Sequence, residues 1–302
     1  MSEAHSHGAA IRAGSRYKGR LIWVFGLVVV FMVAEIVAGV LTNSLALLSD
    51  AGHMATDALG LGMALVAIIA ADKAGSDGRR TFGLYRLEIL AALANAILLF
   101  AVAGYVLYEA VRRFQDPPEV LSGPMLVVAI LGLLVNIVGL WLLREGAGES
   151  INIEGAYLEV IADLLGSVGV IAAALIIRFT GWVYADALFG AAIGLFILPR
   201  AWRLGRRAIR VLVQAAPEHL DVADLQQRLA GIDGVSGVHD LHVWTLTSDM
   251  EVASVHLITP AQADTHRILD QATKLLRDEY GIAHATLQVE PETHEDCVET
   301  SW

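Results

Sequence analysis

Long apolar runs dominate the first two-thirds of the chain, at about 21–41, 46–71, 87–110, 119–143, 154–178 and 182–202. Each reaches the roughly 20 residues that a helix needs to cross the hydrocarbon of a bilayer. The pattern predicts six membrane-spanning helices. The segment 1–20 is polar. The run that follows it is too long for the core of a cleaved leader, so it reads as a retained span. Pro117 and Pro118 must end the third helix, because proline offers no N–H and crowds the preceding turn.

Beyond about Pro217 the pattern changes. DVADLQQRLAGI carries apolar residues at helical spacing, and VSGVHDLHVWTLTS and MEVASVHLIT alternate apolar and polar positions, as a hairpin does. AQADTHRILDQATKLLRDEYGI predicts an amphipathic helix and HATLQVE a last strand. The order α-β-β-α-β predicts a small α+β layer with helices on one face of a sheet. So short a segment has a marginal core, which dimerisation would reinforce. The expected divisions are a tail at 1–20, a six-helix membrane domain at 21–210, the α-β-β-α-β domain at 211–291 and a polar tail at 292–302.

Composition agrees. Hydrophobic residues make up 56% and charged ones 18%, well below the ~25% charged share of soluble domains, and mean hydropathy is +0.58. The net charge of −11 argues against nucleic acid as a partner. Its distribution says more. Arg12, Arg16, Lys18 and Arg20 precede the first span, Lys73, Arg79, Arg80 and Arg86 follow the second, and Arg203, Arg206, Arg207 and Arg210 close the sixth. The positive-inside rule then predicts an integral membrane protein with both termini cytoplasmic. Cys297 has no partner for an internal disulfide, and there is no CxxC metal motif.

The chemistry lies in polar residues inside apolar runs. The second span carries Asp50, His53 and Asp57, with His53 and Asp57 at i and i+4 on one helical face. The fifth repeats that spacing with Glu159 and Asp163. An aspartate at a helix centre in the bilayer costs at least about 2.5–3.5 kcal/mol, so such residues persist where they face a cavity, a partner or an ion. Two helices presenting these pairs to each other would place one imidazole and three carboxylates around a point, a four-coordinate site for zinc or another divalent metal. Glu35 in the first span is expected to be a polar contact between helices, with a place on the ion path as the alternative, and Asn136 in the fourth to hydrogen-bond another helix.

Six of the ten histidines lie between His219 and His284: His219, His239, His242, His256, His266 and His284. Simple alternation puts His239 and His242 on opposite faces of their strand. His256, His266, His284 and Glu290 are further candidate ligands. His5 and His7 in the tail are expected to be exposed.

The stretches SLALLSDAGHMATDA, RTFGLYRLEILAALANA, GAYLEVIADLLGSVGVIAAALI, YADALFGAAIGLFIL and VHDLHVWTLTS, in this order, resemble the cation diffusion facilitator family and within it the cobalt–zinc–cadmium resistance branch. The resemblance covers nearly all of the chain after the tail. It implies a homodimeric, proton-coupled exporter of Zn²⁺ and related ions in a bacterial inner membrane, with a ferredoxin-like, metallochaperone-like cytoplasmic domain. It also implies a transport site at His53, Asp57, Glu159 and Asp163, with His53, Asp57 and Asp163 taking part in proton coupling. In the cytoplasmic domain it points to His239, His256, His266 and Glu290, with His242 and His284 as further candidates.

Two departures from that family pattern stand out. Glu159 occupies a position that is commonly histidine in zinc members, and a third carboxylate shifts preference toward oxygen-loving ions; zinc stays the first choice, with Co²⁺, Cd²⁺, Mn²⁺ and Fe²⁺ as alternatives. Gln288 stands near a position that is histidine in some relatives. The loop after the second span has Asp72 and Asp77 but no histidine, so a loop site is not expected. No cofactor is expected besides the transported ion. Three rival classes remain: a membrane metal sensor or scaffold without flux, a passive channel, and an intramembrane metalloenzyme. Against the last stands the lack of an HExxH motif.

Overall fold

The computed structural model describes residues 4–73, 82, 84–144, 151–247 and 250–293. Six long helices come first: α1 (Ala4–Thr42), α2 (Leu45–Lys73), α3 (Arg86–Gln115), α4 (Ser122–Leu143), α5 (Ile151–Thr180) and α6 (Tyr184–Leu212). Then follow α7 (Val222–Ala230), β1 (Gly237–Thr247), β2 (Met250–Thr259), α8 (Thr265–Tyr280) and β3 (His284–Pro291). Among the described residues, α1, α3, α4, α5 and α6 each carry an apolar window long enough to cross a membrane. With α2, they make the six helices read from the pattern.

Two limits differ from the pattern. The tail is helical from Ala4 and continuous with α1. The helix α6 runs on through the arginine-rich stretch to Leu212 and holds Pro199 within it. Much of the basic loop after α2, including Asp77, Arg79 and Arg80, lies outside the described residues, as do the connection at 145–150 and Cys297. Also outside the description are the side chains of His5, His7, Arg12, Arg16, Lys18, Arg20, Asp72 and Lys73.

The chain divides into two units, 1–62 with 94–204 and 63–93 with 205–302. In the first, helices meet over small residues. Ala46, Ala129, Ala173, Ala174 and Ala185 are fully buried in one cluster with Leu47, Met125 and Val170. Small side chains let backbones approach closely, which is how helices associate where water supplies no driving force. At Gly132 an added methyl would lie 2.6 Å from the Phe31 ring, and at Gly166 it would collide with Asp50 Oδ1. Asn136 Nδ2 donates to Ser167 Oγ at 3.2 Å, the interhelical bond expected of it.

The start of α2 is fixed by α6. Asp186 accepts from Ser44 Oγ at 2.6 Å, from Leu45 N at 2.5 Å and from Ala46 N at 3.2 Å. The first N–H groups of a helix have no partner within it, and a carboxylate there also meets the positive end of the dipole. Arg113 Nη1 donates to the same Asp186 at 3.2 Å and to the carbonyl of Asn43 at 2.5 Å.

In the second unit a three-stranded sheet runs β1-β2-β3, with β1 and β2 antiparallel and β2 and β3 parallel. Leu225 and Leu229 of α7 and Ile268, Ala272 and Leu276 of α8 bury against Val243, Ala253, Val255 and Leu257 of the sheet. Both helices therefore cover one face. Asp221 caps α7, and Gly281 closes α8 in the left-handed region at a φ of 69°, which glycine enters without a Cβ penalty.

Candidate metal centres

His53 and Asp57 stand one turn apart on α2, with Nδ1 and Oδ2 separated by 3.7 Å. That is beyond hydrogen-bond length, and neither ring nitrogen of His53 is hydrogen-bonded among the described residues. Glu159 of α5 reaches the same place. One ligand atom each from His53, Asp57 and Glu159 lies within 4.8 Å of the other two. Asp163, one turn along α5, is buried, and its Oδ1 accepts no hydrogen bond from the described residues. It lies within electrostatic range of Asp50, Asp57 and Glu159, outside the tight trio. Three of the four expected ligands thus converge, and the fourth adjoins them.

Buried polar atoms normally have partners. Both nitrogens of His53, Asp57 Oδ1 and Asp163 Oδ1 lack them among the described residues. Such a set of oxygen and nitrogen donors suits a divalent cation. A cavity of about 370 Å³ opens beside the trio, lined in part by His53, Glu159, Ala162, Phe196 and Arg200.

Two further acids lie close by. Glu35 of α1 and Asp50 of α2 are fully buried, and their carboxyl groups adjoin one another. Neither accepts a hydrogen bond from a donor group of the described residues. Glu35 thus makes the polar contact between helices expected of it, and its neighbour is a second buried acid.

Sequence reasoning missed Arg200. From α6 it donates Nη1 to Asp57 Oδ2 at 3.1 Å and to Glu159 Oε2 at 2.5 Å, and Nη2 to Glu159 Oε1. In the sequence it opens a run of arginines that reads as the positive flank of a span. The signal available was its position, inside the sixth apolar run rather than after it.

A second cluster forms on the sheet. His239 Nε2 lies 3.2 Å from Glu290 Oε2, and His256 Nδ1 lies 2.8 Å from Glu290 Oε1. The two imidazoles meet edge to face, with centroids 4.9 Å apart. Ligand atoms of all three residues fall within 4.8 Å of one another. Gln288 Nε2 donates to Glu290 Oε1 at 2.6 Å, holding that carboxylate from two positions along the same strand.

Two expectations for this domain are corrected. His239 pairs with His256 and His242 with Ser254, and positions 254 and 256 share a face of β2. His239 and His242 therefore share a face too. The cause is a bulge between them, which adds a residue to one strand. Within it Asp240 takes a φ of 48°. His266 lies apart from the trio on α8, among the helices on the sheet's other face. It is 88% exposed and 3.8 Å from Asp270. His242 is exposed and outside the trio, and His284 meets the Phe82 ring edge-on at 6.2 Å.

Comparison with known proteins adds an independent finding. The family described as cation efflux transmembrane domain matches residues 21–213, and the cation efflux protein cytoplasmic domain matches residues 217–292. The metal cation efflux system protein CzcD of Cupriavidus metallidurans is 45% identical over 96% of this chain and 90% of its own. A cadmium, cobalt and zinc/H(+)-K(+) antiporter of Bacillus subtilis is 38% identical over 97% of this chain and 93% of its own. The zinc transporter ZitB of Escherichia coli is 41% identical over 96% of this chain and 93% of its own.

Proposed function

The chain belongs to the cation efflux family, and we propose that it exports divalent metal ions, zinc foremost, from the cytoplasm in exchange for protons. The observation that carries this reading is the convergence of His53, Asp57 and Glu159 from two membrane helices to within 4.8 Å. Asp163 completes the transport site as the fourth ligand. The relatives' names support the choice of metal, since they specify zinc, or zinc with cobalt and cadmium.

Metal binding requires a neutral imidazole and ionised carboxylates, so protons and metal compete for the same lone pairs. A proton arriving from outside at His53, Asp57 or Asp163 expels the ion, and its departure to the cytoplasm restores the site. One site open alternately to either side then performs antiport. A bacterial inner membrane with both termini inside gives the orientation that export needs.

The chain acts as a homodimer, with 211–291 as a cytoplasmic domain whose small core gains from self-association. Its His239, His256 and Glu290 cluster binds metal and regulates transport, provided that it binds more tightly in one arrangement of the dimer than in the other.

Proteoliposomes with an imposed pH gradient test the proposal. Zinc uptake should follow the gradient and vanish in Asp57→Ala and Asp163→Ala. Uptake by those variants at the parent rate overturns the site. Flux indifferent to the gradient favours a channel, and metal-dependent dimer change without flux favours a sensor.

A further inference from the structure

We propose that Arg200 is a tethered competitor of the transported ion, a built-in monovalent cation that metal must displace from Asp57 and Glu159. The inference rests on the reading of this site as the transport site. Its basis is the geometry of the guanidinium, which engages both oxygens of Glu159 and one oxygen of Asp57. A divalent ion coordinated by Asp57 and Glu159 needs lone pairs from the same carboxylates. Among the described residues Asp57 keeps Oδ1 free for a metal, but both oxygens of Glu159 are taken by the guanidinium, so it is at Glu159 that the ion and Arg200 compete most directly.

The chemistry of arginine decides how the competition ends. A guanidinium stays charged at any pH a protein meets, so Arg200 cannot yield by losing a proton, as a lysine could. It must move. The means are present: its side chain is 34% exposed, and it lines the cavity of about 370 Å³ beside the trio. It also follows Pro199 within α6, whose ring removes one helical hydrogen bond next to it.

Charge makes the exchange productive. Asp57, Glu159 and Asp163 bring three negative charges, and a divalent ion offsets two of them. In a low-dielectric surround the remaining charge favours a cation close by, and Arg200 displaced into the cavity supplies one. When the ion leaves, the guanidinium returns to the same oxygens, so neither half of the cycle strands a bare carboxylate cluster. Arg200 thereby weakens metal affinity and hastens release. It also sets a threshold, since an ion that binds carboxylates feebly does not dislodge a bidentate guanidinium.

Zinc uptake into inside-out proteoliposomes tests this, because flux passes through the membrane site and the cytoplasmic cluster is the same in every protein compared. Arg200→Gln should lower KM by about tenfold, at the low end of the coupling measured for close charge pairs, and should also lower kcat as release slows. Arg200→Lys keeps the charge without the fork and should fall between the two. A positioning role confined to packing would raise KM or lower kcat alone, so an unchanged or higher KM in Arg200→Gln overturns the proposal.

Asp163→Asn separates the two levels. If it transports like the parent protein, the transport-site reading fails and takes this inference with it. If it is inactive while Arg200→Gln leaves KM unmoved, only the inference fails. Should Arg200→Gln not fold, the unmodified protein gives the answer through phenylglyoxal, which attacks unpaired guanidinium groups. Zn²⁺ should speed modification of Arg200, read by peptide mass spectrometry, and slower or zinc-insensitive modification would refute displacement.

Discussion

Asp186 on α6 accepts a 2.6 Å hydrogen bond from Ser44, at the threshold of α2. With the N–H groups of Leu45 and Ala46 also on this carboxylate, the α2 helix that carries His53 and Asp57 is anchored at its first turn by α6, which carries Arg200. These two candidate ligands thus inherit their height from a bond well over a helical turn away.

Replacing Asp186 with alanine should destabilise the membrane unit by roughly 3 kcal/mol, the order expected when one member of a buried charged network is removed. Leu45 N and Ala46 N lose their acceptor, and Arg113 keeps Glu109 and the Asn43 carbonyl. Reversible unfolding in mixed micelles measures this. Stability equal to that of the parent would show that the cap contributes nothing.

Glu159→His should turn the site toward nitrogen-preferring ions. It replaces a hard oxygen donor with imidazole, and it deprives Arg200 of its bidentate partner, leaving the contact with Asp57. The first change favours zinc over manganese, and the second eases the entry of either ion. The zinc-to-manganese uptake ratio in proteoliposomes should rise on the order of tenfold, equivalent to about 1.4 kcal/mol. An unchanged ratio would mean that Glu159 does not set selectivity.

Glu290→Gln should abolish metal binding by the sheet cluster while leaving the membrane site filled. Glu290 bridges His239 and His256, and the amide loses both the charge and one acceptor oxygen. Titration calorimetry on the full chain should show lower zinc stoichiometry, with transport altered in rate and not lost. Stoichiometry equal to the parent's would remove Glu290 from the ligand set.

Much of this architecture was legible in advance. A bilayer demands about 20 consecutive apolar residues, so all six long helices announced themselves, and the acids within them stood out because their cost is high. The i, i+4 pairs on α2 and α5 followed from helical geometry alone. Arg200 was hidden for a physical reason: a basic residue near the end of a span is what the positive-inside rule leads one to expect, and its partners are far away in the chain. The cap at Asp186 is likewise a contact between distant segments. The bulge at Asp240 defeated a rule of strict alternation, which holds only while neither strand gains a residue.

That bulge carries its own prediction. Asp240 has a φ of 48°, where a Cβ crowds the backbone; Asp tolerates the position better than most residues, and a β-branched side chain tolerates it worst. Asp240→Gly should therefore raise stability slightly, and Asp240→Val should lower it by roughly 1–2 kcal/mol. The larger consequence is geometric. If valine forces regular pairing, the residues on one side of the bulge change face, and His239 can no longer meet His256 and Glu290 on the sheet. Asp240→Val should then lose zinc binding at the cluster, whereas Asp240→Gly keeps it. Calorimetric stoichiometry alongside denaturation separates the two effects, and a valine variant that stays folded with its cluster still binding zinc would show that the bulge does not depend on the residue at 240.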